Sequence, residues 1–109
     1  NMTPAGFVVY VADEMTCGLP YVAVLKLAVK PQYRRRGISR AMLRDVDSFA
    51  RKTRAVEQRA VVPASIAVDA GLWLNTMGFF ATGEILTDVS PYRSGVEDAY
   101  RFIKNIRLV

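Results

Sequence analysis

Residues 21–43, YVAVLKLAVKPQYRRRGISRAML, join an apolar run to an amphipathic segment through a proline and three consecutive arginines. The apolar run has the β-branched and aromatic composition of a buried strand, and Pro31 predicts where that strand ends. After Gly37 the apolar spacing changes from that of a strand to that of a helix. The three arginines are the densest positive charge in the sequence, and they are therefore predicted to lie at a junction between a strand and a helix.

The predicted helix runs from Gly37 to about Arg54. On its polar face Asp47 and Arg51 stand four positions apart, the spacing of a stabilising charge pair on a helix. Its apolar stripe consists of Ile38, Ala41, Met42, Val46, Phe49 and Ala50. A stripe of this width predicts a helix with one face packed against a sheet.

Another apolar segment precedes this junction. Residues 7–12, FVVYVA, have strand composition, and residues 13–20, DEMTCGLP, contain the acidic, glycine and proline residues that are typical of a turn. Together with the strand at residues 21–29, this order predicts an antiparallel hairpin.

The second half of the chain contains a short strand and a second helix. Residues 58–62 are the candidate strand, which ends at Pro63 and is therefore expected at a sheet edge or where neighbouring strands diverge. Ser65 is a candidate N-cap for the helix, and Gly78 is a candidate C-terminal glycine. The apolar stripe of this helix, which we expect to pack in the core, consists of Ile66, Ala70, Trp73 and Met77.

The two remaining strands are predicted at residues 79–86 and 100–108, with a polar loop between them. The resulting order, β-β-α-β-α-β-β, predicts a mixed sheet with two helices, which is an α/β protein of the α+β type. No internal repeat or linker interrupts the sequence, and 109 residues are enough for one core. We therefore expect residues 1–109 to form a single domain.

Composition excludes several kinds of site. The absence of histidine rules out Ser-His-Asp and Cys-His mechanisms, and one cysteine, Cys17, can anchor neither an internal disulfide nor a usual zinc site. No apolar run approaches the roughly 20 residues of a membrane helix, and no apolar leader opens the sequence, so we expect a cytoplasmic protein without membrane contact. The net charge of +5 favours an anionic partner or ligand.

The junction also has the features of an anion site. The first turn of a helix leaves backbone N–H groups without acceptors, and the helix dipole adds partial positive charge there. Gly37 permits backbone angles, or a close approach of a ligand, that a Cβ would obstruct. Residues 34–36 and Arg40 add cations, and Ser39 adds a hydroxyl. This combination favours a phosphate or a diphosphate.

The same stretch resembles the signature loop of the GNAT superfamily of acetyl-CoA-dependent N-acyltransferases. That loop has Arg or Gln, two residues, Gly, one residue and then Gly or Ala, and it follows a strand that ends in Val-x-Pro. In this chain the strand end is Val29-Lys30-Pro31, and Arg34 takes the first place of the loop pattern. Gly37 takes the central place, and Ser39 takes the third, where a small residue still allows a close approach.

The resemblance implies that coenzyme A, carried as acetyl-CoA, is the cofactor. Backbone amides of about residues 35–40 would bind its diphosphate, and the strand of residues 25–29 would hydrogen-bond its pantetheine arm. The implied cofactor-binding residues are Leu27, Ala28, Val29, Arg34, Arg35, Arg36, Gly37, Ile38, Ser39 and Arg40.

A second resemblance lies in residues 70–79, AGLWLNTMGF, which are similar to the family pattern Ala-x-x-Phe-Tyr-x-x-x-Gly-Phe. Leu74 holds the place of the tyrosine, whose phenol protonates the departing thiolate in many members, a role that no leucine can take. Ala67 holds the place of an asparagine that is often found near coenzyme A.

In function, the resemblance implies an N-acetyltransferase that moves acetyl from acetyl-CoA to a primary amine of a small molecule or a peptide by direct attack. A strand amide, such as that of Val29, would polarise the carbonyl. The family usually has an additional N-terminal strand, two helices and a further strand, so the resemblance implies a partial, N-terminally short fold. Because such a fold leaves apolar sheet edges uncovered, we expect a homo-oligomer such as a dimer.

Two alternatives stay open. A non-catalytic acyl-CoA-binding module would keep the cofactor loop and would account for Leu74 and Ala67. A nucleic-acid-binding protein would account for the positive charge, although a strand before the helix at Gly37 disagrees with a helix-turn-helix. We therefore expect no nucleic-acid partner.

The catalytic residues are not identified by the sequence. Glu14 is a candidate base or an attractor for a cationic amine, and Tyr100 or Tyr92 could replace the missing phenol. A turn role for Glu14 and structural roles for the tyrosines are the alternatives. Cys17 is expected to be a passive loop thiol, and no metal site is expected.

Overall fold

The computed structural model describes residues 5–86 and 98–106 of the chain. Its strands and α-helices are, in chain order, β1 (Gly6–Glu14), β2 (Pro20–Val29), α1 (Ile38–Lys52), β3 (Glu57–Pro63), α2 (Ala67–Thr76), β4 (Phe80–Leu86) and β5 (Ala99–Asn105). Short 3-10 turns, Pro31–Tyr33 and Ala64–Ile66, precede the two α-helices. The predicted order β-β-α-β-α-β-β and the α+β class are therefore confirmed. The loop predicted before the last strand, with Tyr92, and the predicted end of that strand at residues 107 and 108 lie outside the described residues.

The chain forms two compact units. The first unit, Asn1–Gln58 with Ile106–Val109, contains β1, β2, α1 and the start of β3. The second unit, Arg59–Asn105, contains the rest of β3 together with α2, β4 and β5. That residues 1–109 form a single domain stays a prediction.

The first unit is built on the predicted antiparallel hairpin of β1 and β2. Gly6 is paired with Val29 at one end of the hairpin, and Glu14 is paired with Pro20 at the other. The register shifts between Val9 and Tyr10, and the extra residue on β2 is Leu25. A bulge of this kind bends the strand that carries it and increases the local twist.

Helix α1 packs against both strands of this hairpin. Its buried residues are Leu43, Val46 and Ala50, whereas Ala41 of the predicted stripe is exposed. The rings of Tyr10 and Phe49 meet edge to face, with their centroids 5.1 Å apart, which adds an aromatic contact between β1 and α1.

Among the described residues of the first unit, one polar side chain is fully buried. Gln58, at the start of β3, is 0% exposed, and its Nε2 donates a hydrogen bond to the carboxylate of Asp47 on α1. The backbone beside it is also paired, because the Val56 N–H donates to the Pro20 carbonyl at 2.9 Å and the Val56 carbonyl accepts from Ile106. These bonds attach the start of β3 to β2 and to the chain after β5.

In the second unit, α2 packs against β4 and β5, which form an antiparallel pair. The buried residue of α2 is Leu74, which the predicted stripe did not include. Within that stripe Ala70, Trp73 and Met77 are half-buried, and the prediction is wrong for Ile66, which is exposed. Helix α2 has few polar residues, and its apolar spacing does not select one face. No helix in residues 5–86 or 98–106 is both long and apolar enough to cross a bilayer.

The sequence predicted both ends of α2, and the structure confirms the prediction for the C-terminal end only. Ser65 lies in the 3-10 turn and does not cap the helix, which begins at Ala67 with Ile66 at the N-cap. At the other end Gly78 has φ +93°, the left-handed angle expected of a glycine just after a helix. The Phe79 N–H then donates to the Leu74 carbonyl at 3.0 Å, which satisfies one of the last helical acceptors.

Candidate functional site

The candidate site is the loop between β2 and α1, which we call the arginine loop (residues 30–37). Its first part is a 3-10 turn that starts at Pro31, where the missing proline N–H costs no hydrogen bond. The Tyr33 N–H donates to the Lys30 carbonyl at 2.9 Å, and the Arg34 N–H donates to the Pro31 carbonyl at 3.3 Å. These local bonds turn the chain at the end of β2.

The arginine side chains near this loop have different surroundings. The Nε–H of Arg34 donates to the Val29 carbonyl at 3.1 Å. The guanidinium of Arg36 lies 5.4 Å from the ring centroid of Tyr33, a cation–π contact. Arg35 and Arg40 are exposed, and neither of them pairs with a carboxylate in the described part of the chain.

Two residues of the loop have left-handed backbone angles. Arg35 has φ +64°, which is uncommon for a residue with a Cβ, and Gly37 has φ +76° and ψ +11°. A Cβ added to Gly37 would meet no atom of residues 5–86 or 98–106 within 4 Å. The backbone angle therefore explains the glycine, and the space in front of Gly37 is open.

Helix α1 begins directly after Gly37, whose carbonyl accepts from the Ala41 N–H at 3.0 Å. No side chain caps this end, and the first turn contains no acidic residue. Within residues 5–86 and 98–106, the backbone N–H groups of residues 35–40 have no acceptor. These N–H groups, the positive end of a 15-residue helix and the nearby arginines together give this place an electrostatic preference for negative charge.

The end of β2 presents its backbone in a defined direction. The Lys30 N–H donates to the Ala5 carbonyl at 2.8 Å, and backbone groups alternate in direction along an antiparallel strand. With Phe7 paired to Ala28, the N–H and C=O of Ala28 point to β1. Those of Leu27 and Val29 therefore point to the opposite edge of β2.

The predicted cofactor-binding residues lie in two segments of the chain, 27–29 and 34–40, on either side of the 3-10 turn. Leu27, Ala28 and Val29 are half-buried at the end of β2, and Ile38 and Ser39 are half-buried in the first turn of α1. Arg34, Arg35, Arg36, Gly37 and Arg40 are exposed. Tyr33, whose ring contacts Arg36, was not singled out by the sequence, and an aromatic residue three positions before an arginine was the available signal.

The two catalytic candidates lie away from this loop in the chain. Glu14 is exposed at the far end of the hairpin, eight residues along β1 from Gly6, the residue paired with Val29. At about 3.3 Å per residue, that separation is roughly 26 Å, so the hairpin does not bring Glu14 to the arginine loop. Tyr100 is half-buried in β5 and is paired with Ile85. Its catalytic role stays a prediction.

Helix α2 carries an aliphatic residue in the place of the family tyrosine. Leu74 there is only 6% exposed, so it is a packing residue of the second unit. Cys17 is exposed in the hairpin turn. In the parts of the chain that the structure describes, no group of three or more Cys, Asp or Glu side chains is placed to hold a metal ion.

No curated protein sequence matches the chain significantly. Among solved structures, the fold is similar to the NatC complex bound to Gag peptide and CoA, with 19% identity, 95% of this chain and 62% of that chain covered, and a TM-score of 0.77. It is also similar to Arabidopsis thaliana NAA60 in complex with acetyl-CoA, with 22% identity, 94% and 66% coverage, and a TM-score of 0.74.

A third similar structure is the ribosomal-protein-S18-alanine N-acetyltransferase from Escherichia coli, with 25% identity, 96% and 63% coverage, and a TM-score of 0.68. The chain therefore spans less than two-thirds of the length of each of these three proteins. In sequence, the model of the acetyltransferase (GNAT) family matches residues 1–79, which are 79 of the 109 residues. This match covers β1, β2, the arginine loop, α1, β3 and α2, and the chain therefore belongs to the acetyltransferase (GNAT) family.

Proposed function

We propose that this chain binds acetyl-CoA and transfers its acetyl group to a primary amine. The observation that carries the proposal is the set of backbone N–H groups of residues 35–40, which lie beside unpaired arginines and have no acceptor in the described residues. A diphosphate carries two negative charges and several acceptor oxygens, so it suits both the dipole and the N–H groups. Three similar structures contain CoA or acetyl-CoA or are N-acetyltransferases by name.

The pantetheine arm would lie along the edge of β2 that points away from β1. Pantetheine carries two amides, and an extended chain with amides can pair with a strand edge as an added strand does. Leu27 and Val29 direct their N–H groups to this edge, whereas Ala28 uses its backbone for β1. We therefore assign the backbone contacts to Leu27 and Val29, and Ala28 would only line the site.

For the reaction, the amine nitrogen attacks the thioester carbonyl directly. The new C–N bond forms as the C–S bond breaks, the amine loses a proton, and the departing CoA thiolate gains one. An N–H at Val29, or at Leu27 on the same edge, would stabilise the negative charge that develops on the carbonyl oxygen. No protein nucleophile is needed, which agrees with a chain that has no histidine.

The acceptor class we propose is a peptide N-terminus or a small-molecule amine. The E. coli relative is named for acetylation of an alanine in a ribosomal protein, and the NatC structure contains a peptide. Another similar structure is nourseothricin acetyltransferase, at 24% identity and a TM-score of 0.73, so small-molecule amines belong in the same test.

The decisive experiment has two stages. Calorimetric titration with acetyl-CoA tests the cofactor site, and a lack of binding at hundreds of micromolar would reject the proposal. A thiol-sensitive assay then measures CoA release with peptides, polyamines, amino acids and aminoglycosides as acceptors. Amine-dependent release supports acetyl transfer. Tight binding without release on any acceptor would favour the alternative, a non-catalytic acyl-CoA-binding module, for which the buried Leu74 is the supporting observation.

If the protein instead bound nucleic acid, the same arginines would contact phosphates of the backbone. Neutralisation of several phosphates would make the affinity for duplex DNA fall steeply between low and moderate salt. We expect only weak binding of duplex DNA to these arginines, and we expect acetyl-CoA to displace the DNA. Salt-dependent DNA binding that acetyl-CoA leaves unchanged would argue for the nucleic-acid alternative instead.

We also propose that two copies of the chain pair through β1. In the described residues β1 is paired only with β2, so the outward N–H and C=O groups of Gly6, Val8, Tyr10 and Ala12 face an open edge. No charged residue or proline lies between Gly6 and Ala12, and these are the usual devices that block pairing at an edge. Such an edge is a template for another strand.

The sequence of β1 favours one register for this pairing. A twofold axis at Val9 would pair each even-numbered residue with another even-numbered residue, which keeps the outward backbone groups opposite one another. On one face it would bring Phe7 opposite the second copy's Val11 and Val9 opposite its own equivalent. These three side chains are 41–47% exposed in the single chain, so the pairing would cover an apolar row.

A further inference from the structure

We propose that Arg34 acts as a positioning residue, which holds the arginine loop against the end of β2 through its Nε–H, and that its charge is not what binds the diphosphate. This inference rests on the proposed acetyl-CoA site and assigns different roles to the arginines within it. The observation behind it is the hydrogen bond from Arg34 Nε to the Val29 carbonyl, at 3.1 Å.

The bond joins the two ends of a tight loop. Backbone hydrogen bonds from Tyr33 to Lys30 and from Arg34 to Pro31 close the individual turns, but both lie within the loop. In residues 29–34 the Arg34 side chain makes the bond that reaches back to β2 itself. It therefore fixes where the N–H groups that follow, from Arg35 onward, stand relative to the strand.

The same bond restricts what the guanidinium can do. Arginine binds phosphate best through two parallel N–H bonds, and one such pair uses Nε together with one Nη. In Arg34 the Nε–H already donates to Val29, so that pair is incomplete. Among the described residues Arg35 and Arg40 have neither a carboxylate partner nor a ring contact such as that of Arg36, so they are free to meet a phosphate.

Two substitutions of Arg34 can separate the role of its Nε–H donor from the role of its charge. In glutamine the Nε2 is separated from Cα by the same number of bonds as the Nε of arginine, so glutamine can place an N–H donor at the same point without a charge. Lysine keeps the charge, but a CH₂ takes the place of Nε and its ammonium lies one bond further out.

The test compares Arg34→Gln, Arg34→Lys and Arg34→Met by calorimetric titration with CoA. We expect Arg34→Gln to bind within about twofold of the unchanged chain, and Arg34→Lys and Arg34→Met to bind about tenfold or more weakly, the effect of one hydrogen bond to a charged group. The opposite order, with Lys retaining affinity and Gln losing it, would overturn the positioning role.

Arg35 provides the matched control on the next residue. Because Arg35 is assigned a charge role, Arg35→Lys should retain CoA affinity and Arg35→Gln should lose it. The salt dependence of CoA affinity should also weaken in Arg35→Gln and stay the same in Arg34→Gln, since only the first removes a charge that meets the phosphate. A weakened salt dependence in Arg34→Gln would contradict the proposal.

A measurement on the free chain separates this inference from the proposed function. The hydrogen-bonded amides of Tyr33 and Arg34 should exchange with solvent about fivefold faster in Arg34→Met and Arg34→Lys than in the unchanged chain, and at an unaltered rate in Arg34→Gln. This result would support the positioning role even if CoA did not bind. Equal exchange rates in all four proteins would overturn it, whatever the affinity for CoA.

Discussion

Gly6 of β1 lies so close to Ala28 of β2 that a Cβ on Gly6 would overlap the Ala28 carbonyl oxygen. The overlapping atom belongs to the backbone, so it can move only if the strands separate. We expect Gly6→Ala to lower the free energy of unfolding by about 1–3 kcal/mol, as overpacking does, and to weaken CoA binding because Val29 is paired with Gly6. Chemical denaturation and calorimetric titration measure the two effects.

The control for this prediction is Gly71→Ala in the second unit. A Cβ there would stand 3.0 Å from the ring of Phe102, a side chain that can move, and alanine is favoured over glycine within a helix by about 1 kcal/mol. We expect a smaller loss of stability and unchanged affinity for CoA. An equal loss in both variants would show that the contact of Gly6 with β2 has no special importance.

Substitutions at Gly37 can distinguish the need for a left-handed backbone angle from the need for open space in front of the loop. Alanine at φ +76° costs roughly 1–2 kcal/mol, whereas asparagine tolerates this region better. If the open space is where the diphosphate lies, both Gly37→Ala and Gly37→Asn should bind CoA about tenfold or more weakly. The free energy of unfolding should fall by roughly 1–2 kcal/mol in Gly37→Ala and by less in Gly37→Asn. A Gly37→Asn variant that binds as well as the unchanged chain would place the ligand elsewhere.

The sequence predicted the parts of the fold that depend on local chemistry. Turn residues placed the hairpin, the change of apolar spacing at Gly37 placed α1, and Gly78 placed the end of α2. The bulge at Leu25 could not be predicted, because no glycine or other turn residue marks it. The buried face of α2 was also missed, since a ten-residue helix with few polar residues gives several equally apolar faces.

The candidate site was predictable as a stretch of sequence but not as an arrangement of side chains. Residues 34–36 are three consecutive arginines, and yet their side chains have different surroundings. Arg34 donates to the Val29 carbonyl, and Arg36 lies against the Tyr33 ring. Arg35 faces solvent. These differences depend on backbone angles such as the positive φ of Arg35. Nothing local in the sequence encodes them.

A charge on the edge of β1 should prevent the proposed pairing of two copies. Val9 lies at the proposed twofold axis, where Val9→Lys would place two ammonium groups opposite each other and would also lose an apolar contact. We expect Val9→Lys to sediment as a monomer at tens of micromolar, where the unchanged chain sediments as a dimer. Val68→Lys, on the exposed surface of α2, is the control and should leave the dimer intact. A monomeric unchanged chain, or dissociation by Val68→Lys, would contradict the role of β1.

We expect opposite results from substitutions of the two catalytic candidates. Glu14 lies at the far end of the hairpin from Val29, so Glu14→Gln should leave kcat within about twofold. A general acid contributes about 10²–10⁴-fold, so Tyr100→Phe should lower kcat by about a hundredfold or more, with the CoA affinity unchanged, if its phenol protonates the thiolate. Amine-dependent CoA release and calorimetry measure these quantities. An unaltered kcat in Tyr100→Phe would leave Tyr100 with a structural role.

Restoring the family tyrosine at Leu74 should not restore a catalytic acid. Leu74 is 6% exposed, so a phenol there would overfill a packed position and would need a buried hydrogen-bond partner. We expect Leu74→Tyr to lower the free energy of unfolding by about 1–3 kcal/mol without raising kcat. Leu72→Tyr, two residues earlier on the same helix and 68% exposed, should change stability by less than about 0.5 kcal/mol. If Leu74→Tyr kept full stability and raised kcat, the side chain at this position would reach the reacting atoms, and a true acid would be missing from this chain.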